Sequence, residues 1–212
     1  MKNYLEFERD IKDLEEELEK LKDPFNKEGL SEVEIDKISK IQSQIDEKLK
    51  TSYANLNEWQ ITQVARHEER PKAKFFIDNL FTDFINLSGD RRFSEDEAVL
   101  AGFAKFEGKS VLVLGQEKGK DLESRLKRNF GMMRPEGYRK CIRLMKLANK
   151  FNIPIISFID TPGAYPGIGA EQRGQAEAIA SSIDCCMSLK VPIISIIIGE
   201  RRIWRCYSIS IS

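Results

Sequence analysis

Residues 154–171 read PIISFIDTPGAYPGIGAE, and this stretch decides the fold prediction. An apolar run of strand type leads directly into a loop rich in glycine and proline, and a helical pattern follows. In α/β sheets such a loop lies at the carboxyl end of a strand, where ligands bind to backbone N–H groups. Glycine at 163, 167 and 169 permits unusual backbone angles, and proline at 162 and 166 stiffens the loop. We therefore predict a functional loop rather than only a tight turn.

Two known phosphate-binding motifs do not fit this loop. The sequence contains no G-x-x-x-x-G-K-[ST] pattern, which excludes a P-loop. A dinucleotide fingerprint using Gly167 and Gly169 would need a third glycine at position 172, which is Gln172. The loop therefore belongs to neither nucleotide-binding class.

The segments on both sides of the loop alternate between strand and helix patterns. The predicted strands are 98–104, 110–115, 154–160 and 191–198, and the predicted helices are 137–149 and 176–189. A turn at residues 107–109 joins the first two strands. The order strand, strand, helix, strand, helix, strand predicts an α/β fold, and the continuous apolar runs predict strands buried on both faces.

The region between Asn57 and Phe93 has a mixed pattern that we interpret as helical. Its apolar residues form two groups on either side of Pro71, and Gly89 marks the exit. The second group ends with Phe84 and Ile85, so the helix prediction extends to these residues.

The first 50 residues predict two helices with one apolar face each. The first stripe comprises Phe7, Ile11, Leu14, Leu18 and Leu21, and the second comprises Ile35, Ile38, Ile41, Ile45 and Leu49. A break at 24–29 separates them, and Ser31 with Glu34 forms a capping-box signature for the second helix. Two readings stay open: a helical hairpin docked on its own domain, and an arm that grips a second subunit.

The charges of the chain balance, with 34 Lys and Arg against 34 Asp and Glu, so no global field gathers nucleic acid or an anionic membrane. The balance hides a division along the chain. Residues 1–50 carry a net charge of −5, and residues 118–150 carry a net charge of +8. These two segments are expected to face different partners or each other.

Metal and membrane functions are not indicated. The four cysteines form no C-x-x-C pair, and His67 is the one histidine, so we predict no zinc site and interpret His67 as a satisfied polar residue. The longest apolar run, 191–198, is shorter than the roughly 20 residues of a membrane-spanning helix. The first residues lack the apolar stretch of a signal peptide. These observations predict a soluble, cytoplasmic protein.

Five motifs together strongly resemble the alpha subunits of the carboxyltransferase of bacterial acetyl-CoA carboxylases. They are residues 57–67 (NEWQITQVARH), 115–119 (GQEKG), 128–132 (RNFGM), 135–140 (PEGYRK) and 158–167 (FIDTPGAYPG). The resemblance covers about residues 1 to 200. It implies a crotonase-like (ClpP/crotonase) α/β fold of repeated β-β-α units, incomplete at its carboxyl end, behind an N-terminal helical region.

The resemblance also implies an activity and an assembly. Carboxybiotin on the biotin carboxyl carrier protein gives its carboxyl group to acetyl-CoA, forming malonyl-CoA for fatty-acid biosynthesis in an ATP-dependent complex that includes biotin carboxylase. Two alpha and two beta subunits form the carboxyltransferase, and zinc is expected only on the beta subunit. No covalently bound cofactor is expected on this chain.

Two sets of residues are candidate sites. The resemblance implies that the loop residues Gly163, Ala164, Tyr165, Pro166, Gly167 and Gly169 line the biotin side. The basic stretch supplies Lys118, Arg128 and Arg134 as candidate contacts for the phosphates of coenzyme A or for an acidic carrier surface. A solvated helix face is the alternative interpretation of the basic stretch.

The sequence departs from the resemblance after Glu200. The related subunits continue with Gly-Gly-Ser-Gly-Gly-Ala, the loop that supplies the biotin oxyanion donors, whereas this chain continues with RRIWRCYS at 201–208. One adenine inserted before codons for the glycine-rich loop yields this replacement, so we predict a frameshift at Glu200. No catalytic residue is assigned, and the chain as written is predicted to transfer no carboxyl group.

The predicted domains are a helical hairpin arm over 1–56, a partial carboxyltransferase domain over 57–200 and an aberrant tail over 201–212. Two alternatives stay open: a crotonase-like hydratase acting alone, and an inactive remnant that serves as an interaction module. A hydratase is expected to place a carboxylate pair near its oxyanion hole, and no such pair follows the glycine loop apart from Glu171 and Glu177, which face a helix start.

Overall fold

The computed structural model describes residues 3–22 and 32–201. The chain divides into two compact units, Met1–Glu68 and Glu69–Ser212. The predicted break at 24–29, the Ser31 cap and the tail from 202 onward lie outside the described residues.

The first unit contains three helices, α1 (Arg9–Lys22), α2 (Glu32–Ala54) and α3 (Glu58–Ala65), after a turn of 3-10 helix at Glu6–Glu8. The first two pack along a shared apolar cluster centred on Ile11, Leu18, Ile41 and Ile45. The stripe predictions are confirmed at these positions. Ile35 is the exception, because its side chain is exposed.

The third helix begins with a reciprocal cap that its sequence encodes. The Oδ1 atom of Asn57 accepts a hydrogen bond from the N–H of Gln60, and the Oε1 atom of Gln60 accepts one from the N–H of Asn57, both at 2.9 Å. Such a capping box satisfies two of the N–H groups that a helix start leaves open, which fixes the start of α3 at Glu58.

The second unit is built on a five-stranded sheet. Its strands are β1 (Thr82–Asn86), β2 (Val99–Phe106), β3 (Lys109–Gln116), β4 (Ile155–Thr161) and β5 (Ile193–Arg201). They lie in sequence order, with β1, β2 and β3 antiparallel and β3, β4 and β5 parallel. The strand, strand, helix, strand, helix, strand order is confirmed.

Helices cover the two faces of this sheet. They are α4 (Ala73–Leu80), α5 (Leu122–Lys127), α6 (Pro135–Lys150), α7 (Ile168–Gln172) and α8 (Gln175–Ser188). One face packs against α6 and α8 around Leu112, Leu114, Leu144 and Met145. The other packs against α4 around Ile77, Val113 and Phe158. The parallel strands thus place their carboxyl ends at one edge, between these layers.

The helix prediction was wrong at Phe84 and Ile85. Helix α4 ends at Leu80, and both residues lie in β1 instead. Two causes explain the change: Asp83 adopts a φ of 56°, which interrupts a helix, and β1 pairs with β2, placing Ile85 opposite Phe103. Tertiary pairing therefore overrides the helical periodicity.

The prediction that all strands are buried on both faces was wrong for β5. In the described sheet β5 pairs only with β4, and its Ile194, Ile196 and Ile197 are 56%, 40% and 48% exposed. An apolar run by itself does not distinguish a central strand from an edge strand. Strand β4, with a neighbour on each side, is buried as predicted.

Gly102 allows the backbones of the paired strands β1 and β2 to approach closely. A Cβ atom at this position would lie 2.1 Å from the carbonyl oxygen of Ile85, which is backbone. We expect Gly102→Ala to lower the free energy of unfolding by about 2–3 kcal/mol, because the strands must separate to admit the methyl group. Urea unfolding followed by circular dichroism measures this.

Gly108→Ala is the matched control for this substitution. Gly108 lies in the hairpin turn with a φ of +78° and open space around its missing Cβ. It should cost only about 1 kcal/mol, the conformational penalty alone. Equal stability of the two variants would contradict the steric role of Gly102.

Candidate active site

The loop 162–167 leaves β4 at the carboxyl edge of the sheet, as predicted. Thr161 organises its first turn: the hydroxyl accepts the N–H of Gly163 at 3.1 Å and lies 2.7 Å from the carbonyl oxygen of Gly131. Gly163 itself has a φ of 148°, outside the usual range of residues with a side chain. This turn therefore requires glycine at position 163.

A second segment, residues 128–134, runs beside this loop. Met133 and Ala164 form an isolated parallel bridge, and the N–H of Tyr165 donates to the carbonyl oxygen of Met133 at 3.1 Å. The side-chain amide of Gln175 donates to the same carbonyl at 2.9 Å. The N–H groups of Gly163 and Tyr165 are thus bonded within the chain, so these two do not serve a ligand.

Arg134 and Tyr165 join the two segments through their side chains. The guanidinium carbon of Arg134 lies 4.8 Å from the centroid of the Tyr165 ring, a cation–π geometry. The Nη2 atom of Arg134 donates to Oδ1 of Asn129 at 2.9 Å, while its Nε atom is buried with no partner in the described part of the chain. Gly167 leaves room for the ring, since a Cβ there would lie 2.2 Å from Tyr165.

Residues 129–131 form a strained turn that the sequence reading missed. Asn129, Phe130 and Gly131 have φ values of 48°, 55° and 79°. A left-handed backbone is unusual for phenylalanine and costs of order 1–3 kcal/mol. The turn holds the Phe130 ring partly in solvent, where it is 41% exposed. Asn129 and Gly131 are residue types that tolerate this backbone, and they were the available signal.

The three basic candidates are all held by the chain itself. Lys118 forms ion pairs with Asp160 at 2.7 Å and with Glu200 at 3.3 Å, and its side chain is 17% exposed. Arg128 donates to the carbonyl oxygen of Glu97 at 2.9 Å. The structure brings Arg134 to the loop and Lys118 to the ends of the parallel strands, while Arg128 lies against the segment before β2.

Several buried charged residues support the site, and sequence reasoning missed them. Arg139 pairs with Asp90 at 2.8 Å and with Glu136, and Glu136 also accepts from Arg173. Glu136 is buried in the first turn of α6, and Arg173 directly follows α7. The network therefore ties the end of the glycine loop to the start of α6.

Lys140 and Asp96 form a second buried group at the same helix. The ammonium of Lys140, which is fully buried, contacts Glu95 and donates to the carbonyl oxygens of Asp96 and Val99 at 2.9 and 2.7 Å. Burial raises the pKa of Asp96, although it accepts the N–H groups of Arg134 and Ala98 and faces Lys140. These contacts fasten the segment before β2 to α6.

Lys72 is a further buried cation at this edge, 8% exposed, and it was not singled out from the sequence. Desolvation lowers the pKa of its ammonium, while the nearby carboxylate of Asp160 opposes that shift.

The single histidine has a backbone partner: the Nε2 atom of His67 lies 2.7 Å from the carbonyl oxygen of Asn3. Within residues 3–22 and 32–201, no three His, Cys, Asp or Glu side chains cluster as metal ligands do.

Burial raises the pKa of the Cys141 thiol to about 12 and that of Cys186 to about 12. No helix in the same ranges is long and apolar enough to cross a membrane.

Sequence comparison gives one consistent result. A family described as "Acetyl co-enzyme A carboxylase carboxyltransferase-like" matches residues 4–202. The chain is 75% identical over 200 residues to the acetyl-coenzyme A carboxylase carboxyl transferase subunit alpha of Pelagibacter ubique, covering 94% of this chain and 54% of that protein. It is 53% identical over 203 residues to the corresponding subunit of Agrobacterium fabrum, covering 94% and 63%. The chain thus spans between about half and two thirds of the length of these relatives.

Structure comparison agrees at the level of the fold. A crystal structure of transcarboxylase 12S matches with a TM-score of 0.51 and 19% identity, covering 61% of this chain and 24% of that one. A single-chain, multi-domain long-chain acyl-CoA carboxylase matches with a TM-score of 0.51 and 20% identity, covering 64% and 14%. The likeness to these carboxyltransferases confirms the predicted crotonase-like α/β fold.

Proposed function

Because this chain belongs to the acetyl-coenzyme A carboxylase carboxyltransferase-like family, we propose that its family region performs the alpha-subunit part of carboxyl transfer. The carboxyl group passes from carboxybiotin on a carrier protein to acetyl-CoA, giving malonyl-CoA for fatty-acid biosynthesis in the cytoplasm. The observation that supports this most directly is the 75% identity to a named alpha subunit over 94% of the chain.

The chemistry makes modest demands on side chains. Release of the carboxyl group develops negative charge on the biotin ureido oxygen, and the acetyl group must form an enolate. Fixed backbone N–H groups can stabilise both charges, and loss of one such donor costs roughly 3 kcal/mol. A rigid carboxyl edge with glycine-determined turns, such as the Thr161–Gly163 turn, suits this form of catalysis.

We propose that the loop from Gly163 to Gly169 lines the biotin side. Its support is the double attachment of the loop: Met133 holds it through backbone hydrogen bonds, and Arg134 holds it through the Tyr165 ring. A loop fixed in this way keeps its shape when a substrate arrives, which lowers the cost of ordering.

The partners follow from the same proposal. A beta subunit completes an assembly of two alpha and two beta subunits, and it carries the zinc. The carrier protein delivers carboxybiotin made by biotin carboxylase with ATP. Lys118, Arg128 and Arg134 are proposed contacts for coenzyme A or for the carrier, since both are anionic.

Arg134 is the candidate contact that is easiest to test, because its buried Nε atom has no partner within the described ranges. We expect Arg134→Met to raise the KM for acetyl-CoA or for the carboxylated carrier about 10-fold, the effect of one lost charge-assisted hydrogen bond. Steady-state kinetics with each substrate varied in turn measures this.

Lys127→Met is the charge-matched control. Lys127 is 65% exposed and pairs with Glu97 at 2.9 Å, so its loss should leave both KM values within twofold. If Arg134→Met behaves like this control, Arg134 is not a substrate contact.

The function is tested by malonyl-CoA production from the chain, the beta subunit, carboxybiotin and acetyl-CoA. The same chain read in the unshifted frame beyond Glu200 is assayed in parallel. Production by either chain supports the function. No production by both, while a pull-down shows that the subunits assemble, would refute carboxyl transfer and leave an interaction module.

A further inference from the structure

Strand β5 leaves its regular pairing with β4 near its carboxyl end. Ile159 lies opposite Ile197, but the next pair joins Thr161 to Arg201. One residue of β4, Asp160, therefore faces three residues of β5, Ile198, Gly199 and Glu200. Such bulges redirect a strand and are common next to active sites.

Side chains take up the backbone groups that the bulge removes from the ladder. The Nε atom of Arg70 donates to the carbonyl oxygen of Ile198, and the N–H of Glu200 donates to Oδ1 of Asp160 at 2.9 Å. Between them, Gly199 packs directly on the carboxylate, since a Cβ there would lie 2.4 Å from Oδ1 of Asp160. The bulge is thus held at its first and last residues.

Lys118 completes the arrangement by neutralising the buried carboxylate. Its Nζ atom lies 2.7 Å from Oδ1 of Asp160, whose side chain is 3% exposed, and 3.3 Å from Oε2 of Glu200. A buried charge needs such a partner. The N–H of Asp160 also donates to Oε1 of Gln116 at 3.1 Å, which ties β4 to the end of β3.

We propose that Arg70, Lys118 and Asp160 are positioning residues for carboxyl transfer. They hold the bulge at 198–200 and so fix the direction in which the chain leaves β5, beside the loop that begins at Pro162. The inference rests on the proposed function, because the direction matters for activity only if this edge carries the reaction. Arg70 and Asp160 need not touch a substrate for this role, and Lys118 holds the bulge in addition to its proposed contact with coenzyme A or the carrier.

The exchange rate of the Glu200 amide proton, followed by NMR, tests the bulge without any activity measurement. Asp160→Ala removes the acceptor and should speed exchange at Glu200 at least 10-fold. Asp160→Asn keeps an oxygen acceptor and should restore most of the protection. Ser195→Ala removes the hydroxyl pair between Ser195 and Ser157, 2.9 Å apart earlier in the same strands, and should leave Glu200 within twofold.

Lys118→Met is a second variant in case Asp160→Ala does not fold, with an expected increase of at least 3-fold at Glu200. The assignment is overturned if the Glu200 amide proton exchanges within twofold of the parent rate in every one of these two variants that folds.

The consequence for catalysis is tested by turnover of the assembled carboxyltransferase, which contains the chain that makes malonyl-CoA. Asp160→Ala should lower kcat at least 10-fold and leave the KM for acetyl-CoA within twofold, and Asp160→Asn should recover part of the loss. Unchanged kcat despite faster Glu200 exchange would overturn the positioning role. If the parent chain is inactive, the proposed function fails, while the exchange data still decide whether these residues hold the bulge.

Discussion

Replacement of Lys140 by methionine is expected to lower the free energy of unfolding by about 3 kcal/mol, because two buried carbonyl oxygens lose a hydrogen bond from a charged donor. The ammonium is fully buried and serves three acceptors: a carboxylate oxygen of Glu95 and the carbonyl oxygens of Asp96 and Val99. Methionine fills similar space but donates no hydrogen bond. Two buried carbonyl groups would lose a charged donor, and the segment before β2 would lose its attachment to α6.

Lys146→Met on the same helix is the control, since Lys146 is exposed and its loss should change the free energy of unfolding by no more than about 0.5 kcal/mol. Chemical unfolding followed by far-ultraviolet circular dichroism gives the free energy of unfolding of both variants for comparison. About 1 kcal/mol is the precision of such unfolding free energies. If the Lys140 variant and the control differ by less than this, the buried ammonium contributes little to stability.

In the carboxyltransferase assembled with the chain that makes malonyl-CoA, replacement of Gly163 by valine is expected to lower the rate of malonyl-CoA formation about 100-fold, because small displacements of groups that bind a reactant have effects of this size. Gly163 has a φ of 148°, and its N–H is fixed by the Thr161 hydroxyl. A branched side chain cannot keep this backbone, so the turn must open and the loop that follows must move.

The loss of rate should exceed what the loss of stability explains. Gly108→Val places the same side chain at another glycine of positive φ, +78°, in the distant β2–β3 turn. We expect a similar reduction in melting temperature from both variants, with the transfer rate preserved only in the Gly108 variant. Equal rates in the two variants would remove Gly163 from the proposed biotin-side loop.

The basic segment shows how far composition can mislead. Residues 118–150 carry a net charge of +8 along the chain, which predicted that this segment and the acidic residues 1–50 face different partners or each other. In the folded unit several of these cations have acidic partners from other segments. Lys118 pairs with Asp160, Arg139 with Asp90 and Lys140 with Glu95. Local charge counts do not see partners that are distant in sequence.

The strained turn at Asn129–Gly131 illustrates a second limit of prediction from sequence. The motif RNFGM at 128–132 carries part of the family resemblance, yet its residue types do not reveal the strained backbone. Phenylalanine in a left-handed conformation is unfavourable locally, and it persists here because the Gly131 carbonyl is bonded to Thr161 and Asn129 is bonded to Arg134. Only the contacts between segments make this conformation the stable one.

The sequence by itself determined the α/β order of the second unit, the β2–β3 hairpin, the two apolar stripes of the first unit, the glycine loop after β4 and the family. These features depend on local periodicity, turn residues and motifs, which neighbouring residues encode. The tertiary structure alone decided that Phe84 and Ile85 belong to a strand, that β5 has an exposed face, and that Asp160, Lys118 and Arg70 support a bulge. Each of these depends on hydrogen bonds or burial between residues far apart in the chain, and their energies arise only when the segments pack together.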